Sequence, residues 1–337
     1  MKRRSAIVIV SLIAASAVLF TVRVLVGPLG FGVPSDEVIR ELRLLAAVSA
    51  AVIGAALASS GTLLQATLRN PLASPWVLGL TSGASLWVVT VIIAGGAGTG
   101  LEPVGAVVGA FTALGLVYSL ARNRGLLDPV ALLLIGVMVS VCFGALTMLL
   151  QQFLPDRGLA RFSRWMLGTL SEETPWSVLG AIALLTVTGV GIAMGIGRKL
   201  DAASLPDDEA RSVGVNPDRL RTVCFGIAGV LTAGTVLLAG PIGFVGLVSP
   251  HIARLLVGAT HRRLVLASAL IGAGFVLAAD LVSVCVAMWT SSSDAINATG
   301  RIPVGILTAL IGAPVFIGML LGGMRRKLAG PTGGSDP

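Results

Sequence analysis

Charge is what this 337-residue chain has least of. Asp, Glu, Lys and Arg make up 12% of it, about half the ~25% usual for a soluble domain. Sixteen acidic and 24 basic residues are too few to cover the surface of a soluble fold of this size, so a water-solvated globule is excluded. Histidine is nearly missing: His251 and His261 are the only two, which argues against a histidine-built metal or haem site. The three cysteines, Cys142, Cys224 and Cys285, all sit inside apolar stretches without metal-ligand spacing and read as packing residues. No G-x-x-x-x-G-K-[ST] phosphate loop, G-x-S-x-G elbow or H-E-x-x-H pair occurs, so the chain carries no recognisable catalytic motif. A basic face is lacking too. The net charge of +8 is spread in ones to threes between apolar runs with no interleaved aromatics, which does not describe a nucleic-acid binder.

What the chain does have is hydrophobicity, at 55% of residues, and glycine, at 43. Runs long enough to cross a bilayer, which takes about 20 residues, occupy 5–26, 43–66, 76–94, 103–121, 129–152, 176–197, 220–242, 264–287 and 304–323. A shorter apolar segment, 249–259, lies between the seventh and eighth. The apolar core after Met1-Lys2-Arg3-Arg4 is longer than that of a cleavable leader and is expected to stay as the first span. With the short segment counted as a crossing there are ten spans, and both termini share a side. Most of the 24 Lys and Arg then fall on that side, including Arg69, Arg122, Arg198, Arg262 and Arg325, which makes it the cytoplasmic one. The expected fold is therefore an all-α membrane protein of about ten helices in a single polytopic domain, 1–337. Some helices are short or broken by Gly and Pro, and abundant small residues let them pack closely. The polar cytoplasmic segment is 200–221, and 324–337 reads as a disordered tail.

An internal echo suggests an inverted repeat. Gly61, Pro71 and Gly79 have the same spacing as Gly240, Pro250 and Gly258, and in the ten-span topology the two segments start in opposite directions. Transporters use such repeats, with broken helices near the pathway.

The polar stretch Leu200–Arg221 contains a helix with Pro206 at its first position, Asp207, Asp208 and Glu209 in its first turn and Gly214 as a left-handed cap. A second start follows, with Asn216 as N-cap before Pro217. Either this is an ordinary solvated loop or it is a docking helix for a cytoplasmic motor. Arg69-Asn70-Pro71-Leu72-Ala73 must stop or break a helix at Pro71, and Asn70 can satisfy the freed backbone groups. Gln65, Gly240, Pro250, His251, Arg254 and Asp280 complete the pathway or broken-helix candidates. Arg254 and Asp280 are costly at membrane depth and read either as a structural pair or as a relay. In the second case the chain is an ion- or proton-coupled secondary transporter. His251 and Asp280 alone supply no nucleophile pair for an intramembrane enzyme.

The chain resembles the FecCD-type permeases of ABC importers, which carry iron-siderophores, haem or vitamin B12. The matching stretches are GAALASSG (54–61), Gln65, RNPLASPWVLG (69–79), RWMLGTL (164–170), EARSVGV (209–215), GPIGFVGLVSPHIARLLVG (240–258), HRRLV (261–265), AD (279–280) and PVGILTALIGAPVF (303–316). They cover nearly the whole chain in the family order. The resemblance implies a permease that dimerises with a second copy or a paralogue around the translocation path of an iron-siderophore or related chelate, in the cytoplasmic membrane. It implies two cytoplasmic ATP-binding subunits, which hold the ATP and Mg²⁺ and seat on Pro206, Glu209, Ala210 and Gly214, and no cofactor or catalysis in this chain. It implies a cytoplasmic gate at Asn70, Pro71 and Leu72, and a substrate-binding protein on the opposite face. There the family's R-L-P-R is reduced to Arg43-Leu44-Leu45-Ala46, and an arginine expected four residues after Asp280 is Val284. The outer loop 288–305 is long, and Arg301-Ile302 replaces Glu-Leu. Arg43 and Arg301 are then the candidates for docking. If Arg301 restores the missing positive charge, Arg301→Glu weakens binding-protein affinity and uptake; unchanged values for both would remove it from the docking face.

Overall fold

The computed structural model is built almost wholly of helices and describes residues 2–27, 30–123, 126–170, 174–291 and 301–328. The helices are α1 (Lys2–Leu25), α2 (Glu37–Thr67), α3 (Leu80–Val91, continued by a π turn over Ile92–Gly96), α4 (Glu102–Ala121), α5 (Pro129–Gln151), α6 (Asp156–Met166), α7 (Trp176–Gly195), α8 (Gly197–Ala203), α9 (Asp207–Ser212), α10 (Pro217–Ala239), α11 (Val245–Val257), α12 (His261–Ser291) and α13 (Val304–Leu328). Two antiparallel ribbons of two residues per strand join them: β1 (Val26–Gly27) with β2 (Gly30–Phe31), and β3 (Arg122–Asn123) with β4 (Leu126–Leu127). The tail 329–337 and most of the outer loop, 292–300, lie outside the described residues.

Starts are set by local chemistry. The Asp36 carboxylate accepts from Val38 N at 2.8 Å to open α2. Asp128 accepts from Val130 N at 2.7 Å ahead of Pro129 in α5. Asn216 accepts from Arg219 N at 3.0 Å ahead of Pro217 in α10. All three use a side-chain cap, and in α5 and α10 it is followed by a proline that gives up no needed donor.

Eight helices are long and apolar enough to cross a membrane, and two shorter apolar ones, Leu80–Gly96 and Val245–Val257, complete ten. The side-chain contacts test whether the short ones cross. If every span alternates, one end, the near end, holds residue 2 and the turns at 68–79, 122–127, 196–216 and 258–260. The far end holds the rest. His261 Nδ1 lies 2.7 Å from Asp201 Oδ1, and Arg263 donates to Ser5 Oγ at 3.2 Å. Both contacts require α11 to have crossed, because otherwise His261 would lie at the far end. At 13 residues, α11 is about 20 Å long at 1.5 Å per residue, short of the ~30 Å hydrocarbon layer. The non-helical stretch 240–244 supplies the remainder.

α2 is the central element. It is buried from Leu45 nearly to its end, packed by α10, α11 and α12. Glycines permit the approach: a Cβ on Gly54 would land on the carbonyl oxygen of Gly272 in α12, and one on Gly61 would land on that of Gly246 in α11. Ser60 Oγ donates to the Ala228 carbonyl and meets Thr232 Oγ1, both at 3.1 Å. Apolar cores lie on either side of α2, one among α3, α4, α5 and α10, the other among α7, α12 and α13. This small-residue seam is how helices associate where lipid supplies no hydrophobic drive.

The Gly/Pro echo does not carry equal local structure. Gly61 lies inside α2, whereas Gly240 ends α10; Pro71 is in a turn, whereas Pro250 is inside α11; Gly79 starts a helix, whereas Gly258 ends one. One segment runs helix then loop and the other loop then helix. Missed by hydropathy was α6, a short far-end helix with Arg157, Arg161 and Arg164 on one side and Phe162 buried on the other.

The seam gives a test. Gly54→Ala is expected to cost about 1–3 kcal/mol through overpacking, read as a lower thermal midpoint in detergent. Gly115→Ala, inside α4 where an added Cβ meets nothing within 4 Å, should leave the midpoint unchanged or raise it slightly. Equal midpoints for both would remove the seam from the account.

Candidate functional site

At the near end the sequence 206–217 forms a compact projecting unit. Pro206 is the residue before the helix, with extended backbone, and not its first turn position as the sequence suggested. Asp207, Asp208 and Glu209 occupy the first turn. Gly214, at φ 81°, closes α9: Gly214 N donates to Arg211 O and Val215 N to Ala210 O, both at 3.0 Å. This double hydrogen bond with a left-handed glycine is a Schellman closure. Pro206, Glu209 and Gly214 are exposed and Ala210 is buried, so α9 is anchored by one small residue and presents its acidic face outward.

Behind it lies the turn that follows α2. Asn70 Oδ1 accepts from Leu72 N at 2.9 Å, and Ala73 N donates to Asn70 O at 3.0 Å, so Asn70 does satisfy the backbone groups that Pro71 frees. Leu72 points outward, 48% exposed. Arg69 adopts a left-handed backbone, φ 49°, and its side chain leaves the turn: Nε donates to Ala203 O at 2.8 Å and Nη2 to Asp207 Oδ1 at 2.5 Å. Arg221 Nη2 donates to the same Asp207 oxygen at 2.7 Å. Burial by itself would raise the Asp207 carboxyl, but hydrogen bonds from Arg221 and Arg69 outweigh it and hold it below the ordinary carboxylate range. The stabilisation from this carboxylate is present above its unfolded pKa and is lost only as pH falls through the lowered folded value.

Two cavities adjoin these elements. An open near-end cleft of about 500 Å³ is lined by Gln65, Arg69, Pro71, Asp201, Arg254 and His261, among others. It brings together the sequence candidates Gln65, Pro71 and Arg254. Gln65 is buried; its Nε2 donates to Gly246 O at 3.3 Å, and its Oε1 has no hydrogen-bond partner. A second cavity, about 570 Å³ and almost wholly apolar, runs between Ser74–Val77, Met166–Leu167, Pro241–Leu247 and Gly305–Leu310. The two broken segments, after α2 and before α11, thus wall one space. Trp76 and Phe244 flank it; Phe244 is held at φ 65° and is packed against Gly312. At its far-end rim Gly305 N donates to Gly168 O at 2.9 Å. Gly240, at φ 69°, sits behind Trp165, and His251 lies edge-on to Phe316 at 6.0 Å between ring centres.

Three site expectations are corrected. Asp280 is ion-paired with Arg23 Nε, both side chains being buried, so it does not pair with Arg254. Arg254 stands in the near-end cleft while Asp280 belongs to the far half, which removes the relay that a gradient-driven transporter would need. Arg43 does not present its charge outward: it is 6% exposed, and its Nη1 donates to the carbonyls of Leu25 and Gly32, each at 2.9 Å. Its work is to fasten the β1–β2 ribbon to α2. Sequence reasoning gave no site role to Arg23, Asp201, Arg221 and His261, whose only signal was their charge inside a charge-poor chain, and read Asp207 only as a first-turn charge of α9.

The FecCD transport family model matches residues 5–322. The chain belongs to the FecCD transport family. It is 37% identical over 299 residues to the cobalamin import system permease protein BtuC of Halobacterium salinarum, covering 87% of this chain and 76% of that protein. It is 34% identical over 290 residues to the hemin transport system permease protein HmuU of Yersinia pestis, covering 83% of this chain and 82% of that one. Its fold matches a metal-chelate type ABC transporter solved in an inward-facing conformation, with a TM-score of 0.79, 30% identity and coverage of 94% and 99%. The FecCD chain is thus a transmembrane permease of the ABC-importer type and not itself an enzyme.

The buried pair yields a test on this FecCD permease. Asp280→Ala strands Arg23 in an apolar interior and is expected to cost about 3–5 kcal/mol, whereas Arg23→Met with Asp280→Leu recovers most of it. Thermal unfolding in detergent reads both; a single variant as stable as wild type would show that the pair is not what holds α1 to α12.

Proposed function

We propose that the chain forms, with a second permease copy or a paralogue, the conduit through which an organic metal chelate enters the cytoplasm, driven by ATP hydrolysed on two separate subunits. The near end is the cytoplasmic side of the inner membrane and holds both termini. The observation that carries this reading is α9: a short, doubly closed helix whose exposed acidic face projects at the end of the bundle where the basic residues gather. Pro206, Glu209, Ala210 and Gly214 make the seat for the ATP-binding subunits, which hold ATP and Mg²⁺. Asn70, Pro71 and Leu72 make the gate. Gln65, Gly240, Pro250, His251 and Arg254 belong to the pathway and its broken helices.

Cargo class follows from the apolar cavity. Ser74 is the one polar side chain among its lining residues, and none is ionisable. A bare oxyanion would leave its hydration shell there without compensation, whereas a bulky chelate whose metal is wrapped in organic ligand loses little. An iron-siderophore is the proposed cargo, with haem and cobalamin as the related alternatives. An external binding protein delivers it at the far end, where Arg301 remains the docking candidate now that Arg43 is accounted for by the ribbon.

Proline at 214 cannot adopt the left-handed backbone that closes α9, yet nothing lies within 4 Å of a Cβ at that position, so the lesion is confined to the closure. Gly214→Pro is expected to abolish ATP-driven uptake of labelled iron-siderophore in reconstituted vesicles while the ATP-binding subunit still co-purifies. Normal uptake in that variant would overturn the coupling assignment. Comparing labelled iron-siderophore, haem and cobalamin uptake between a deletion strain and its complement settles the cargo.

A further inference from the structure

The near-end polar residues are distributed in an unexpected way. Arg69 belongs by sequence to the turn after α2, but neither of its side-chain hydrogen bonds is made within that turn. One goes to the last residue of α8, Ala203 O, and the other to the first residue of α9, Asp207 Oδ1. On the opposite flank Arg221 is 4% exposed. It is held by Leu127 O of the β3–β4 ribbon at 3.2 Å and meets the same Asp207 oxygen at 2.7 Å. Among the described residues Asp207 Oδ1 thus joins the projecting helix at once to the turn at 69–73 and to the wall formed by α10 and the ribbon, while Arg211 Nη2 to Asp218 Oδ2 at 3.1 Å ties α9 to α10 separately.

From this we infer that Asp207 and Arg69 are the positioning residues that transmit movement of α9 to the turn at 69–73, so that this one carboxylate sets the state of the gate. The inference rests on the reading of 206–214 as the motor's seat and 70–72 as the gate. The geometry gives it direction. Arg221 is buried and doubly held, so it is the stationary partner. Arg69 and Asp207 side chains are 32% and 34% exposed, and Arg69 sits on a left-handed backbone that a non-glycine residue occupies only when its surroundings hold it there. When α9 shifts against α10, the Asp207 oxygen leaves either Arg221 or Arg69. In the second case the restraint on the strained turn is lifted, and Asn70–Leu72 are free to rearrange. An ion pair as exposed as Arg69–Asp207 contributes little to stability, and Arg221 keeps Leu127 O and Asp218 Oδ1 as partners when Asp207 is changed, so these residues can be exchanged without unfolding the bundle.

The test uses the assembled permease with its ATP-binding subunit in lipid vesicles. Exposed Cys142 and Cys285 are replaced by serine, and Leu72→Cys reports gate accessibility through its maleimide labelling rate with and without ATP. Coupling between sites ordinarily shifts an equilibrium by about fivefold or more, and a change of that order is expected in the parent. Asp207→Asn and Arg69→Gln should each bring the response to nearly nothing, the double variant should be no worse than either, and Asp207→Glu should restore it. Co-purification of the ATP-binding subunit with each variant separates lost coupling from lost assembly. If Asp207→Asn and Arg69→Gln keep the full ATP-dependent change, the junction is not the transmitter, although seat and gate stand. If the parent itself shows no ATP-dependent change, the gate reading fails and takes this inference with it.

Discussion

A backbone that leaves its helix inside a bilayer has no water to bind, so every freed N–H and C=O must be satisfied by protein. That constraint governs the two breaks on which the rest of this molecule depends. After α2 the chain makes a succession of tight local turns: Ala73 N to Asn70 O, Val77 N to Ser74 O and Gly79 N to Trp76 O. Before α11 it uses Gly240 N to Val236 O and Val245 N to Gly243 O. Pro71, Pro75 and Pro241 sit within these stretches and carry no N–H, which lowers the number of donors left to satisfy. Since each break closes on itself, its side chains are spared for another purpose, and Trp76 and Phe244 line the apolar cavity. The seam along α2 brings the two breaks to the same depth: Gly61 lets α11 approach to backbone contact, and Gln65 spans the gap to Gly246 O.

Scarcity of charge sharpens what each charged group does. In the far half charge is structural. Arg23 with Asp280 fastens α1 to α12, Arg43 gathers the carbonyls of the first ribbon, and Glu102 meets Arg161 at 2.7 Å to hold α6 against α4. At the near end the pattern differs. Arg69, Asp207 and Arg221 join segments from three separate parts of the chain, and Asp201 with His261 ties α8 to the start of α12. A pair buried on both sides, as Arg23–Asp280 is, is costly to break and fixes a single arrangement. Partly exposed, shared pairs of the second kind admit more than one arrangement at small cost. The contrast is sharpest between Arg23–Asp280, buried on both sides, and Arg69–Asp207, about a third exposed on both.

Much of this was legible in the sequence, for reasons that are local. Span positions follow from hydropathy alone, and the short crossing at α11 was supported by where the basic clusters would otherwise fall. The closure of α9 by Gly214 and the start of α10 at Asn216-Pro217 follow from residue types within a few positions of each other. Partner choice was not legible, because Arg23 and Asp280 stand 257 residues apart and nothing in spacing favours Arg23 over Arg254. The Gly/Pro echo misled for a related reason. Glycine serves equally as a close-packing point in mid-helix and as a left-handed cap, and proline as a turn residue and a tolerated helix interior, so identical spacing hides different backbone states. Trp76 and Phe244 were overlooked because an apolar side chain facing a cavity reads the same as one facing lipid.

The placement of these contacts bears on how one chain can hold a cavity and carry the proposed gate. The cavity walls are braced by Gly305 N to Gly168 O and by Phe244 packed against Gly312. Gating needs an element whose two states differ by little, and the turn at 69–73 qualifies: strained at Arg69, stopped by Pro71 and held from outside by a shared carboxylate. Both belong to the same break after α2, the turn at its start and Trp76 a few residues on. On the proposed reading, a rearrangement begun at Asp207 lies less than ten residues of chain from the cavity wall, while α2, through its glycine seam, keeps the rest of the bundle in register.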